Sequence, residues 1–165
     1  MRRITLTLAV LSGSLLFSLP VTNACGDKAL RIGRGARFQR STHPASILIY
    51  VPSGSPETAA TQAPRLQTFL KKAGHKPRVV QGTDGLSEAL GSGQYDLVLT
   101  PLAEVASLQN QIDASPSKPL VVPIAMKATR AEVAAARRQY RWLVRNPNDG
   151  DEYLEAIEVA MRSRA

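Results

Sequence analysis

The sequence predicts an α/β fold in which one parallel β-sheet is covered by helices on both faces. Short runs of apolar and β-branched residues recur five times after residue 45, as expected of strands buried on both sides. Segments with apolar residues at helical spacing separate these runs, and glycine and proline mark the breaks. Strands that alternate with helices predict a parallel sheet, because each crossover helix packs on a face of the sheet.

The predicted strands follow one another from residue 46 onward. Right-handed crossovers and pairing of neighbours along the chain favour a doubly wound, flavodoxin-like sheet with the strand order 2-1-3-4-5. Pro123 lies inside the fourth run, where it removes a hydrogen-bond donor from the ladder. The five strands are expected at residues 46–51, 78–81, 95–100, 120–126 and 140–145.

A helix is predicted after each strand. Thr83 or Asp84 is expected to cap the second helix. Thr129 and Glu132 form a capping box before the fourth helix, which is rich in alanine. The predicted helix faces comprise Leu66, Phe69, Leu70 and Ala73 in the first helix, Leu86, Ala89 and Leu90 in the second, Leu102, Val105, Ala106 and Gln109 in the third, and Leu154, Ile157 and Met161 in the last.

The first 24 residues have the pattern of a bacterial secretory signal peptide. Arg2 and Arg3 form a basic start, and an apolar stretch follows at residues 4–21. Ala24 is a small residue that stands directly before Cys25, the only cysteine. This pattern predicts cleavage after Ala24 and export, either to the periplasm or to a membrane in which Cys25 anchors the chain.

Two alternatives stay open for the cysteine. Ala24 and Cys25 resemble the lipobox of bacterial lipoproteins, in which the thiol receives a diacylglyceryl group. Thr22 and Asn23 depart from the aliphatic and small residues of the lipobox, so cleavage without lipidation is the alternative. A lone cysteine forms no internal disulfide, and the folded domain therefore depends on its own core.

The chain is expected to divide into a signal peptide at residues 1–24, a basic tether at 25–45 and an α/β domain at 46–165. Without the signal peptide it keeps 141 residues, with 19 Lys and Arg against 13 Asp and Glu, a formal charge of +6. This excess favours an acidic protein or an anionic membrane surface as the partner. An aromatic content of 5% offers little base stacking and disfavours nucleic acid. The tether carries Lys28, Arg31, Arg34, Arg37, Arg40 and His43.

Four stretches of the domain carry a family resemblance. They are residues 95–99 (YDLVL), 127–129 (KAT) with the helix at 133–138, 142–145 (WLVR) and 153–157 (YLEAI). In this order they resemble the third strand, the fourth loop and helix, the fifth strand and the last helix of the receiver domain of two-component response regulators. The resemblance covers residues 46–162 and implies a flavodoxin-like scaffold. In receivers, carboxylates of this scaffold hold Mg²⁺ beside an aspartate that is phosphorylated.

The positions of receiver chemistry hold other residues in this chain. Asp96 begins the third strand rather than ending it, so it does not replace the phosphorylated aspartate. Arg145 keeps the charge but not the geometry of the lysine after strand five. The acidic pair is replaced by Val51 and Pro52, the phosphoacceptor by Thr100 and Pro101, and the switch Ser or Thr by Ala125 or Met126. The resemblance therefore implies a pseudo-receiver that binds a partner, without phosphotransfer, enzymatic activity or a cofactor.

A second resemblance competes with the first. Residues 85–108 are similar to a helix and strand of periplasmic phosphonate-type solute-binding proteins, where the strand lines the ligand cleft. Those proteins have two lobes, and this chain is long enough for one. The second resemblance implies a single-lobed binder of a small anionic solute.

Polar residues at the expected strand ends are candidates for such a ligand. Ligands of doubly wound sheets bind beyond the carboxyl ends of the strands. Backbone N–H groups at helix starts favour an anion there, such as phosphate or a carboxylate. The alternative is a set of ordinary loop residues at a vestigial site. The candidate anion-binding residues are Ser53, Gly54, Ser55, Thr100, Lys127, Thr129 and Arg145.

Four arginines on or near the fourth helix form a candidate partner face. By the receiver resemblance, this side of the fold makes dimers or contacts output partners. A solvated helix face, whose arginine stems cover apolar surface, is the alternative. The four are Arg130, Arg137, Arg138 and Arg141.

Other chemistry has little support in the sequence. His43 and His75 are too few and too poorly accompanied for a structural metal site. Ser53 has no histidine or acid at the spacing of a nucleophile elbow. We therefore expect no catalytic residues and no bound metal.

Overall fold

The computed structural model describes residues 41–55 and 57–164, apart from the side chains of residues 57–60. The predicted signal peptide, Cys25 and most of the predicted tether lie outside these residues. The strands are β1 (Ser46–Val51), β2 (Lys76–Gln81), β3 (Leu97–Pro101) and β4 (Leu120–Ile124). The helices are α1 (Glu57–Lys72), α2 (Gly82–Ser92), α3 (Val105–Asp113), α4 (Arg130–Gln139) and α5 (Gly150–Arg164), and a 3₁₀ turn, Leu102–Glu104, precedes α3.

The four strands form one parallel sheet in the order β2-β1-β3-β4. Ile47 of β1 lies opposite Pro77 of β2 on one side and opposite Leu97 of β3 on the other. Leu97 in turn lies opposite Leu120 of β4. Both central strands are buried almost throughout, because helices cover both faces of the sheet. The prediction of an α/β fold with a parallel sheet is confirmed.

The predicted fifth strand at residues 140–145 is reduced to one isolated parallel bridge, between Ile124 and Val144. The N–H of Val144 donates to the carbonyl of Pro123 at 2.9 Å, and its carbonyl accepts from the N–H of Ala125 at 2.8 Å. The next ladder bond would need an N–H on residue 123, and proline has none. The carbonyl of Val121, the next acceptor along β4, accepts instead from Nε1 of Trp142 at 2.6 Å.

Glu152 prevents pairing in the other direction. The next ladder bond beyond Val144 would come from the N–H of Asn146, but this group donates to Oε2 of Glu152 at 2.8 Å. The N–H of Arg145 donates to Oε1 of the same carboxylate at 3.0 Å. The sheet therefore has four strands within the described residues, rather than the five predicted.

Two helices cover each face of the sheet. Leu70 of α1 and Ile157 of α5 are fully buried on one face. Leu86 of α2 and Leu108 of α3 are fully buried on the other. Leu70, Leu86 and Ile157 belong to the predicted apolar faces, and burial of apolar area accounts for the packing of these helices. In α3 the predicted face is partly wrong, because Val105 and Leu108 are buried whereas Ala106 is exposed.

The helix α4 is attached by a much smaller contact. Only Ala136 of this helix is buried, and it packs against Ala125 and Leu143 beside β4. The predicted capping box is confirmed. The N–H and Oγ1 of Thr129 donate to Oε2 of Glu132 at 2.6 and 2.8 Å, and the N–H of Glu132 donates to Oγ1 of Thr129 at 3.3 Å.

The predicted cap of α2 at Thr83 or Asp84 is wrong, because the helix begins at Gly82 directly after β2. Gln81 is the N-cap residue, and its side chain makes no capping hydrogen bond. Gly82 has a φ of +69°, a conformation that glycine adopts without strain. This glycine lets the chain turn from strand to helix without a loop.

Parallel strands place their ends at two opposite edges of the sheet. The carboxyl edge is defined here by the residues that follow the strands, at 52–55, 101–104 and 125–129. The amino edge is defined by the residues around the strand starts, at 41–45, 73–76, 93–96 and 115–119. The ends of α1 and α5 lie at the amino edge, since Ser41 N–H donates to the Ala73 carbonyl at 2.9 Å and Arg164 donates to the carbonyls of Asp96 and Ser117 at 2.9 and 3.0 Å.

Candidate functional site

Three of the predicted anion-binding residues, Ser53, Gly54 and Ser55, form the loop after β1. The N–H and Oγ of Ser55 both donate to the carbonyl of Pro52, at 3.2 and 2.8 Å. Gly54 has a φ of +75°, which suits glycine at such a turn. The hydroxyl of Ser55 is therefore used to close the turn, and Ser53 is left as the exposed hydroxyl of this loop.

Thr100, Lys127 and Thr129 lie at the ends of β3 and β4 without forming a common site. Thr100 is fully buried, and its Oγ1 has no hydrogen-bond partner among the described residues. Thr129 is engaged with Glu132 in the capping box. Lys127 is exposed at a φ of +55°. Within residues 41–55 and 57–164, no hydrogen bond joins any of these three side chains to the loop after β1.

Arg145, the last predicted anion-binding residue, is paired with a carboxylate. Its Nε lies 2.7 Å from Oε1 of Glu152, whose side chain is only 13% exposed. Burial acts to raise the pKa of Glu152, but hydrogen bonds from the side chain and backbone of Arg145 and from the Asn146 backbone lower it below its ordinary value. The charge of Arg145 is therefore offset within the fold.

The carboxyl edge is acidic as a whole. The helices of the described residues begin there, and the helix dipole favours acidic residues in first turns. Among the side chains that the structure describes, six acidic ones lie at this end of the fold against three basic ones, Lys127, Arg130 and Arg145. The six are Asp84, Glu104, Glu132, Asp149, Asp151 and Glu152. An incoming anion would meet a negative field, which disfavours this edge as an anion site.

A cleft lies where the fifth strand fails to form. It has a volume of about 220 Å³ and lies between the end of α4, the segment at residues 140–145 and the first half of α5. We call it the arginine cleft. Its lining residues are Arg137, Tyr140, Arg141, Trp142, Leu143 and Arg145, faced by Glu152, Glu155, Ala156 and Val159 of α5.

The arginine cleft divides the predicted partner face into two halves. Arg137 and Arg141 line the cleft and pair with no described carboxylate. Arg130 and Arg138 are exposed elsewhere on α4. Tyr140 and Trp142 add aromatic surface, and the Trp142 ring is fixed by its hydrogen bond to Val121. Tryptophan, tyrosine and arginine are the residues that most often dominate binding energy in protein interfaces.

Asp96 lies at the amino edge, far from the receiver-type phosphoacceptor position at the end of β3. Its Oδ2 accepts from the N–H of Ser46 at 2.8 Å, and its own N–H donates to the Ser46 carbonyl at 2.8 Å. It therefore tethers two strand starts. In the described part of the chain, no group of three or more His, Cys, Asp or Glu residues could hold a metal ion.

A polar cluster at the amino edge was not apparent from the sequence. Glu158 of α5 receives hydrogen bonds from the segment Ser41-Thr42-His43, and we call this arrangement the Glu158 clasp. Oε1 accepts from the N–H groups of Thr42 and His43 at 2.9 and 3.3 Å, and also from Oγ of Ser41 in a short contact. Oε2 accepts from Oγ1 of Thr42 and lies close to Nδ1 of His43, both at 2.8 Å.

The clasp holds a strongly stabilised carboxylate. Burial acts to raise the pKa of Glu158, but hydrogen bonds from Ser41, His43 and Thr42 outweigh it and lower the pKa to about 2. The cluster is not a Ser-His-Glu triad, because Ser41 donates to Glu158 and to the His43 carbonyl rather than to the imidazole. Its partners are more than 100 residues apart in the chain, so no local sequence signal indicated it.

No protein-family model, curated protein or solved structure matches this chain. Among the helices of the described residues, none is long and apolar enough to cross a membrane.

Proposed function

We propose that this chain is an exported, non-enzymatic protein-interaction module on a receiver-like scaffold. Its docking site is the arginine cleft, and the partner is a protein segment that carries carboxylates beside an apolar side chain. The observation that carries the proposal is the presence of two uncompensated arginines in an aromatic-lined cleft beside β4, where the predicted fifth strand is reduced to a single bridge.

The size of the cleft supports a side-chain anchor. Small-molecule sites usually enclose about 300–1,000 Å³, and this cleft encloses about 220 Å³. One large apolar side chain would fill it, with Leu143 and Ala156 among its walls. The same size disfavours the alternative of a cleft that encloses a whole solute.

Charge supports an acidic partner. Arg137 and Arg141 have no carboxylate partner among the described residues, whereas Arg145 is already paired with Glu152. A partner carboxylate that meets a guanidinium gains a charge-assisted, often bidentate, hydrogen bond. Exposed Glu155 on the opposite wall would repel a second carboxylate, so the acidic groups should lie on the α4 side of the cleft.

The lone tryptophan provides a direct assay. We expect the fluorescence of Trp142 to change on titration with a short peptide of alternating aspartate and leucine, and not with the lysine and leucine counterpart. The double variant Arg137→Gln/Arg141→Gln should weaken binding at least about tenfold, since interface arginines in desolvated positions contribute 1 kcal/mol or more. The matched control is Arg130→Gln/Arg138→Gln, which removes the same charge from positions on α4 outside the cleft.

Two results would contradict the proposal. Equal weakening in both double variants would mean that peptide binding depends only on the net charge of the protein. No response of Trp142 to the acidic peptide would mean that the cleft is not its docking site.

The competing function, a single-lobed binder of a small anionic solute, is tested by thermal melting with phosphate, methylphosphonate and acetate. A solute binder would be stabilised by mass action, whereas an interaction module should show a melting temperature that does not change with these solutes.

The receiver-like proposal also predicts an unchanged mass after incubation with acetyl phosphate and Mg²⁺. A gain of one phosphoryl group would overturn the assignment of Thr100 and Pro101 as inactive positions.

A further inference from the structure

Basic side chains gather at the amino edge. No helix of the described residues starts there, and the ends of α1 and α5 favour basic residues because of the helix dipole. All six side chains of this group are at least about one-third exposed. We call them the cationic edge: Lys71, Lys72, Lys76, Lys118, Arg162 and Arg164.

The acidic residues near the cationic edge are largely engaged. Glu158 is held in the clasp, and Asp96 accepts from Ser46 and lies 3.9 Å from Arg164. Asp113, at the end of α3, accepts from Gln109 at 2.8 Å. The four lysines of the cationic edge pair with no described carboxylate, so their charges face solvent.

The described chain enters the fold at this same edge. Ser41 is bonded to Ala73 at the end of α1, one residue after Lys72. Residues 26–40 lead into Ser41 and carry five of the basic residues against one acidic residue, Asp27. Residues 41–164, by contrast, hold 14 basic and 12 acidic residues. The excess positive charge of the chain therefore lies mainly before Ser41.

We infer that the cationic edge binds the surface of an anionic lipid bilayer. The basic residues at 26–40 precede Ser41 directly in the sequence, and Ser41 lies at this edge, so the charge of this segment adds to that of the cationic edge rather than offsetting it. Basic residues near an anionic bilayer contribute about 1 kcal/mol each, which is about fivefold in partition. The carboxyl edge, with its acidic residues, then faces away from the lipid.

The test is sedimentation of the purified full chain with phosphatidylcholine vesicles, with and without phosphatidylglycerol. The apolar stretch is common to all variants, so the measured quantity is the extra partition that phosphatidylglycerol causes. We expect Lys71→Gln/Lys72→Gln to reduce it about thirtyfold. Lys127→Gln/Arg130→Gln removes the same charge at the carboxyl edge and should leave it within about twofold. Added salt should abolish the difference by screening.

Three outcomes would overturn the inference. They are equal losses in the two double variants, partition that does not depend on phosphatidylglycerol, and stronger competition by free phosphate than by sodium chloride of equal ionic strength. The last result would indicate an ion site rather than a lipid surface. The inference does not depend on the arginine cleft, and Lys71→Gln/Lys72→Gln should leave the response of Trp142 to the acidic peptide unchanged, so the two proposals fail separately.

Discussion

Replacement of Glu158 by glutamine removes the carboxylate to which residues 41–43 are hydrogen-bonded. In the native protein this carboxylate accepts hydrogen bonds from two backbone N–H groups and from the side chains of Ser41 and Thr42, beside His43. The glutamine amide has only one acceptor oxygen. Its NH₂ group is a donor and would face the N–H and hydroxyl donors of residues 41–43. Glu158→Gln should therefore release residues 41–43 from α5 and lower the free energy of unfolding.

The pKa gives the size of the effect. A pKa lowered from 4.5 to about 2 corresponds to at most about 3 kcal/mol at neutral pH. The Glu158 side chain is 21% exposed, and the His43 side chain is 43% exposed, so solvent screens part of this energy. We expect a loss of about 1–2 kcal/mol, which would move the urea midpoint by about 1 M.

The sign of the pH dependence follows from the same shift. Because the folded state lowers the pKa of Glu158, the stabilisation is present above pH 4.5 and is lost as the pH falls towards 2. The difference between native protein and Glu158→Gln should thus be largest at neutral pH and vanish near pH 2.

The assay is urea unfolding followed by circular dichroism, with hydrogen exchange at the Thr42 and His43 amides. The control is Glu155→Gln, an exposed acid one turn earlier on α5. Unfolding of the two variants at the same urea concentration would contradict this role of Glu158, as would a loss in Glu158→Gln that persists unchanged at pH 2.

Three further predictions concern the core. Thr100→Val should leave the free energy of unfolding unchanged or raise it by about 1 kcal/mol in urea unfolding, because the buried Oγ1 has no partner; a loss above 1 kcal/mol would reveal a role for the hydroxyl. Gly150→Ala should lower the melting temperature and destabilise by about 1–3 kcal/mol, since an added Cβ would lie 2.7 Å from the Phe69 ring; an unchanged melting temperature would contradict this. His75 is 4% exposed, and burial lowers its pKa below 6.5, so the unfolded chain binds more protons and stability falls as the pH drops below 6.5. His75→Phe should flatten the urea midpoint between pH 7 and pH 5, and a profile as steep as that of the native protein would be the opposite result.

The sequence was sufficient to predict the four strands and the helices that bury Leu70, Leu86 and Ile157. Their signals are local, because apolar periodicity alone decides which face is buried. The capping box at Thr129 is likewise a local pattern, since both partners lie within one turn.

The fifth strand could not be judged from its own residues. The run at 140–145 has the composition of a strand, but its pairing depends on Pro123 and Glu152, which lie elsewhere in the chain. The ring of Trp142 also takes a backbone acceptor that a ladder would use. The cleft exists because this strand is absent, so it could not be predicted either.

The candidate anion site shows the same limit. Sequence order placed Arg145 at a strand end, but in the structure its guanidinium forms an ion pair with Glu152. Composition gave a net positive charge, whereas the folded arrangement separates an acidic carboxyl edge from the cationic edge. This separation follows from parallel topology and helix dipoles together, and it emerges only when the helices are placed on the sheet.

Docking of an acidic segment in the arginine cleft can be tested by an amide chemical-shift titration of the protein with the aspartate and leucine peptide. Docking in the arginine cleft predicts shifts confined to residues 137–145 and 152–159. Shifts centred on residues 52–55, 100–101 and 125–129 would contradict the claim and return the function to the carboxyl ends of the strands.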